Sequence, residues 1–249
     1  MTDWPEGYGK RILDAVDSTL DEAARIASDL SGPEWILAKR QTKGRGRRGR
    51  DWKEPKGNFA ATLVMRPTEP PQVVALRSFL AALALYDACE ALTGRTSGLA
   101  LKWPNDVLLN GGKLAGILLE SAGAAQGVTH LAIGIGVNLV ETPMKEWLEP
   151  GAVWPVSLLS ETGVQVTPED FLTALAAAYA RYELQFTTYG FEPIRTAWLA
   201  RAAKLGEVIT ARTTNSETTG TFETVDAEGN LVLNSAKGRV TIPAADIFF

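Results

Sequence analysis

The sequence predicts an α+β fold: a mixed β-sheet domain packed with helices over residues 1–204, then a small all-β domain over 205–249. Three observations predict it. Apolar runs of strand character alternate with helical stretches through most of the chain. Asn110-Gly111 stands between two apolar runs, a strong short-range signal for a hairpin. From Leu205 onward the helical signals stop, and threonine- and valine-rich runs are broken by Thr219-Gly220, Glu228-Gly229-Asn230 and Lys237-Gly238. With 249 residues, 45% of them apolar, the chain has material for one large core and an appendage.

The elements follow in order. Arg11 to Val16 alternates apolar and polar residues as a strand does. Thr19 and Glu22 have capping-box spacing ahead of a helix that runs to about Leu30. Trp35–Lys39 and Asn58–Met65 read as strands on either side of an Arg/Gly-rich loop, the second stopped by Pro67. Ala75–Leu92 carries apolar residues at helical intervals, with Gly94 as its stop. Val107–Leu109 and Lys113–Glu120 form the two arms of the Asn-Gly hairpin. Leu131–Leu139 is a strand with Gly134 and Gly136 inside it, which implies close approach by a ligand or another backbone. Thr167-Pro168-Glu169-Asp170 opens a helix reaching about Phe186, and another covers roughly Pro193 to Ala203.

Charge and composition exclude several classes. Net charge is −4, so the chain as a whole does not attract nucleic acid, and its positive charge is concentrated between Lys39 and Lys56. The single cysteine, Cys89, rules out an internal disulfide and fits core packing in a reduced, cytoplasmic protein. One histidine, His130, leaves no basis for a histidine metal site or triad, and no metal ligand is assigned. The amino terminus lacks a basic-then-apolar signal region and no apolar run has membrane-spanning length, so no membrane partner is expected.

The chemistry concentrates in Gln41-Thr-Lys-Gly44-Arg45-Gly46-Arg47-Arg48-Gly49-Arg50-Asp51-Trp52. Glycines there let a backbone approach a ligand closely, and arginines supply permanent charge and forked donors. By itself the loop fits a phosphate-bearing small molecule, a nucleic-acid backbone or a solvated turn. A second group is Lys102-Trp103-Pro104-Asn105-Asp106 with Lys113. Asn105 and Asp106 project from a strand end able to meet an amine or ribose hydroxyl, and Lys113 can neutralise an oxyanion; an ordinary Asn-Asp turn and a surface lysine explain the same residues. A third is Ser18-Thr19 at a helix start, where hydroxyls and free N–H groups suit an amide, urea or carboxylate as well as plain capping.

Taken together, Asp17-Ser18-Thr19, the loop from Gly44 to Trp52, Lys102–Asp106, Gly112-Lys113-Leu114-Ala115-Gly116-Ile117 and Gly134-Ile135-Gly136-Val137-Asn138 closely resemble the biotin protein ligase family in order and spacing. The resemblance runs from about Arg11 to the β module. It implies the class II synthetase-like fold of that family with a small SH3-like barrel at the end. It implies that biotin and MgATP are substrates, that biotinyl-5′-AMP is the intermediate, and that biotin is then transferred to one lysine of a biotin carboxyl carrier protein domain of a biotin-dependent carboxylase. Lys113, Arg45 and Asp106 are then the catalytic candidates. Ser18, Thr19, Gln41, Gly44, Arg45, Lys113, Gly116 and Gly134 are the biotin-binding ones. Arg45, Arg47, Trp52, Asn105, Asp106, Lys113 and Asn138 are the nucleotide-binding ones.

Two departures stand out. Leu20 occupies the place where the family commonly has Asn, which removes a polar group near the biotin ring. The chain also has no room before Arg11 for the helix-turn-helix domain of the repressor members, so no DNA partner is expected; a homodimer is compatible with the sequence. The nearest rival is a lipoate or octanoate ligase of the same fold, against which the Arg/Gly loop and Lys-Trp-Pro-Asn-Asp argue. A nucleic-acid-binding protein using the basic loop is the rival from another class.

Overall fold

The computed structural model describes residues 3–52, 55–95, 97–124, 127–144 and 153–249. Strand β1 (Gly9–Leu13) runs parallel to β2 (Glu34–Ala38), with helix α1 (Thr19–Ile26) carrying the chain between them. Antiparallel pairing then adds β3 (Phe59–Met65), β7 (Gly127–Val137), β6 (Gly112–Ala124), β5 (Asp106–Leu109) and β4 (Leu99–Lys102). The result is a seven-stranded sheet in the order β1-β2-β3-β7-β6-β5-β4.

All seven residues of β3 are buried, so both of its faces are covered. Strand alternation divides them. Phe59, Ala61, Leu63 and Met65 join the large core under α3 (Arg77–Thr93), the short α4 (Leu158–Thr162), α5 (Pro168–Tyr189) and α6 (Phe191–Leu199). Val64 faces the other way and packs with Ile36, Ala132 and the Leu20, Ala23 and Ala27 side of α1. Helix α1 is short and covers only part of that second face. The uncovered remainder is where a site can form.

Contrary to the expectation that no apolar run has membrane-spanning length, the helical stretch Pro71–Thr93, α2 (Pro71–Ala75) continued by α3, is long and apolar enough to cross a membrane, but two-thirds of its most apolar window is buried inside the protein. Phe79, Leu80, Leu83 and Leu85 fill the core from it. So does Cys89, whose thiol is pushed up from 9.0 to about 12 by burial. Iodoacetamide should therefore leave Cys89 unmodified in the native protein near pH 8 and alkylate it fully in denaturant, as intact mass would show. The folded state holds this proton more tightly than the unfolded chain. Its contribution to stability is complete below pH 9.0 and is lost as pH rises toward about 12.

The carboxy-terminal module is a five-stranded antiparallel sheet of β8 (Val208–Arg212), β9 (Glu217–Val225), β10 (Leu231–Ser235), β11 (Gly238–Ile242) and β12 (Asp246–Phe248), in the order β11-β10-β9-β8-β12. It is not a separate bead. Phe222, Val225, Leu231 and Leu233 belong to the same apolar core as α3 and α5, and Trp103 Nε1 donates to the Gly229 carbonyl at 3.1 Å.

Several boundaries differ from the sequence expectation. Strand β1 covers Gly9–Leu13 rather than Arg11–Val16, and Val16 makes only an isolated bridge to Gln41. The Thr19–Glu22 capping box does not form, because Ser18 is the N-cap and its Oγ accepts from the Leu20 amide at 3.2 Å. Helix α5 continues past Phe186 to Tyr189, and α6 spans Phe191–Leu199 rather than Pro193–Ala203. Asn110 and Gly111 do form the hairpin turn, with φ of 50° and 81°.

Candidate functional site

Directly paired residues of antiparallel strands point to the same face. On the face left open by α1, the pairing places Ala60, Gly136, Gly116, Asp106 and Lys102 in one row across five strands. The next row holds Thr62, Gly134 and Leu118. Three glycines thus strip side chains from the middle of a sheet. The space above them belongs to a cavity of about 780 Å³.

What fills part of that space explains the glycines. The Trp52 ring lies on the Gly116–Gly136 row, and a β-carbon on Gly136 would fall 2.3 Å from Trp52 Cε2. Leu20 lies over Gly134, whose β-carbon would sit 3.0 Å from the leucine side chain. Gly136→Ala should cost about 1–3 kcal/mol through this collision. In denaturant melts Trp52→Ala should relieve most of that cost, so the double variant should be far from additive.

One end of the cavity carries a set of uncharged polar side chains. The first turn of α1 points Ser18 and Thr19 into it, and both are buried. Gln41 Oε1 accepts from the Thr19 amide at 2.8 Å and from Thr19 Oγ1 at 3.1 Å, while Thr62 Oγ1 donates to Thr19 Oγ1 at 2.8 Å. This chain of fixed donors and acceptors suits a ligand with an amide- or urea-like group.

The Arg/Gly loop is a small hairpin folded over the cavity. The Trp52 amide donates to the Gly44 carbonyl at 3.0 Å and the Gly46 amide to the Arg50 carbonyl at 2.7 Å. Its tip turns through Arg48 and Gly49, with φ of 57° and 73°. Gly44 stands where a β-carbon would lie 2.8 Å from the Trp52 carbonyl oxygen, so its role is to let the two arms close. Arg45 forks onto Glu120 at 2.8 and 2.7 Å and reaches Asp21 at 2.9 Å and Ser18 Oγ at 3.3 Å, which ties the loop base to β6 and α1. Those partners, the Glu120 hydrogen bond first, hold its guanidinium firmly charged. Arg47 reaches Asn105 Oδ1 at 3.4 Å, and burial pulls its pKa down.

The other end of the cavity is cationic. Lys113 Nζ is 2.7 Å from Asp106 Oδ1, and Lys102 Nζ is 3.9 Å from Asp106 Oδ2. Lys102 is nearly buried, and desolvation pulls its pKa down. Asn105 is clamped to β6: its Nδ2 donates to the Ile117 carbonyl at 2.6 Å and its carbonyl accepts from the Ile117 amide at 2.9 Å. The Trp103–Pro104 bond just before it is cis. Asn138 donates to the carbonyls of Lys113 and Val156 at 3.4 and 3.1 Å, which braces the backbone that carries Lys113.

All the residues singled out from sequence line this cavity except Gly44, which sits one residue behind it in the loop. Among the described residues, seven lysine and arginine side chains line it against three aspartates, in a chain whose net charge is −4. Such a reversal of sign marks a pocket for an anion. Arg45 and Arg47 are part-buried, and Arg48 and Arg50, exposed at the tip, are paired with Asp246, so the loop's guanidinium groups are engaged within the protein, which argues against the nucleic-acid reading of the loop.

The chain matches the biotin/lipoate A/B protein ligase family model over residues 9–138 and the biotin protein ligase C-terminal domain model over residues 204–249. It is 56% identical over 238 residues to the biotin–[acetyl-CoA-carboxylase] ligase of Paracoccus denitrificans, covering 96% of this chain and 99% of that one. The chain belongs to the biotin protein ligase family. It is also 32% identical to the bifunctional ligase/repressor BirA of Bacillus subtilis, over 97% of this chain and 75% of that protein. Its fold matches the biotin protein ligase from Aquifex aeolicus in complex with biotin and ATP with a TM-score of 0.82 at 24% identity, covering 96% of this chain and 97% of that one.

Some residues that line the ligase's cavity or brace its lining escaped the sequence reading. Glu120 and Asp21, which hold Arg45, are ordinary acids on a strand and a helix until the fold pairs them. Asp246, Ile247 and Phe248 of the terminal module do line the cavity, and no local signal marks them.

Proposed function

We propose that this ligase activates biotin with ATP to biotinyl-5′-AMP and transfers the biotinyl group to one lysine of a biotin carboxyl carrier protein domain in the cytoplasm. The observation that carries the proposal is the polarity of one cavity. Fixed neutral partners at Ser18, Thr19 and Gln41 lie at one end, cations around Asp106 at the other, and a floor of small residues between them.

In the first step a biotin carboxylate oxygen attacks the α-phosphorus of ATP, and pyrophosphate leaves. Both reactants are anions, so the barrier falls when they are neutralised and aligned. Lys113 bridges carboxylate and α-phosphate, with Asp106 holding its ammonium in place. Arg47 and Lys102 add charge on the phosphate side, and Trp52 packs over the floor beside Lys113, whose Nζ lies 5.8 Å from its ring centre. Arg45 anchors the loop base through Glu120 and Asp21 and also lines the cavity. Magnesium accompanies ATP as part of the substrate, screening its phosphates; among the described residues no cluster of three or more histidine, cysteine or acidic side chains is placed to hold a metal ion.

In the second step the neutral amine of the carrier lysine attacks the acyl carbon, and AMP leaves. Asn105 and Asp106, on the rigid turn beside the cavity, orient that amine. The folded hairpin keeps water from the mixed anhydride meanwhile.

The direct test supplies biotin, MgATP and the carrier domain, and reads the carrier's mass. One biotinyl group on one lysine is expected. The family model also covers lipoate ligases, so the same reaction run with lipoate separates the two readings. A carrier modified by lipoate and not by biotin overturns the proposal.

A further inference from the structure

We propose that Asp246, the first residue of β12 in the terminal module, is a positioning residue that latches the Arg/Gly hairpin shut over the cavity. The inference rests on the reading of that hairpin as the lid of an acyl-adenylate site. One carboxylate, 19% exposed, meets three guanidinium groups of the hairpin tip. Asp246 Oδ2 accepts from Arg48 at 2.6 Å and from Arg50 at 3.1 Å, and Oδ1 lies 3.7 Å from Arg47 Nη1. The neighbouring Ala245 carbonyl accepts from Arg47 Nη1 at 3.4 Å.

The partition of anchors gives the latch its meaning. The base of the hairpin is fixed to the main sheet, by Arg45 on Glu120 and by Trp52 on Gly116 and Gly136. The tip is held by the other module, almost two hundred residues away in sequence. Three guanidinium groups within four residues repel one another, and the carboxylate they share offsets that repulsion while the tip is docked. Arg212, the strand partner of Asp246, turns instead to Glu217 at 2.8 Å, so the carboxylate is directed at the loop. Isolated exposed ion pairs contribute little, but a network on a half-shielded carboxylate can decide whether a loop is open or closed. Through the latch the terminal module sets how long the adenylate stays enclosed, while the sheet and Lys113 perform its formation.

The test uses the full chain carrying Asp246→Asn, which keeps shape and removes charge. Two readouts are taken: trypsin cleavage at Arg47, Arg48 and Arg50 by peptide mapping, and the release rate of biotinyl-5′-AMP formed in place. Both should rise about tenfold, with single-turnover adenylate formation far less affected and the melting temperature nearly unchanged. Asp246→Glu should restore most of the protection. The double variant Arg48→Ala/Arg50→Ala should reproduce the fast release, and adding Asp246→Asn to it should change little more. Unchanged cleavage and release, or slower release because a competing anion has gone, overturns the latch. If the unmodified chain makes no biotinyl-5′-AMP, the functional reading fails instead, and the cleavage readout still decides whether Asp246 holds the tip.

Discussion

Alanine at Lys113 should cut biotinyl-5′-AMP formation by about 10²–10³-fold, the loss typical of removing one group that stabilises developing transition-state charge. The expectation follows from where Lys113 stands. Its Nζ is 2.7 Å from Asp106 Oδ1, and it is the cation placed between the small-residue floor and the turn that carries Asn105 and Asp106. Its side chain is only part-buried, and its backbone is held independently by Asn138 and by the exchange of hydrogen bonds with Trp154 and Val156, so the fold should survive. Circular dichroism and melting should therefore remain near those of the unmodified chain while pyrophosphate release collapses. Near-normal pyrophosphate release from the alanine variant would remove Lys113 from the mechanism.

The second large effect concerns retention rather than synthesis. Arg47→Gly should let the adenylate escape about tenfold faster or more, so that bystander proteins become biotinylated on many lysines. Arg47 touches both sides of the closure: Asn105 Oδ1 on the turn of the main sheet and the Ala245 carbonyl on the terminal module. Glycine removes both contacts and loosens the loop backbone as well. Blotting a lysate incubated with the variant, biotin and MgATP would read the outcome. A variant that stayed selective for the carrier domain would show that the hairpin does not retain the intermediate.

How far the sequence reached depends on the range of the interactions concerned. Local signals read well. The Asn110-Gly111 turn, the Gly94 stop and the Thr167-Pro168 start each depend on a few adjacent residues, and each appears where expected. Helix α1 shows the limit even at short range: two hydroxyl residues in a row offered two caps, and Ser18 took the role because Thr19 is drawn to Gln41 and Thr62. The glycines of β6 and β7 announced a close approach, but not by what. Only the register that aligns Gly116 with Gly136 shows that the visitor is Trp52. Leu20 is similar. As a bare departure from a pattern it signalled a lost polar contact, whereas in the fold it is the apolar side chain seated on Gly134. Contacts across the length of the chain left no trace at all. Nothing near Asp246 distinguishes it from a strand-edge acid until three arginines are brought to it.

The cavity is proposed to make and hold an acyl-adenylate. The most direct measurement omits the carrier: the protein is incubated with biotin, MgATP and pyrophosphatase, separated from free small molecules, and its bound ligand identified by mass spectrometry. The structure calls for biotinyl-5′-AMP retained at close to one per chain, and for none with Lys113→Ala. Recovery of intact ATP and biotin, with no pyrophosphate released, would contradict it.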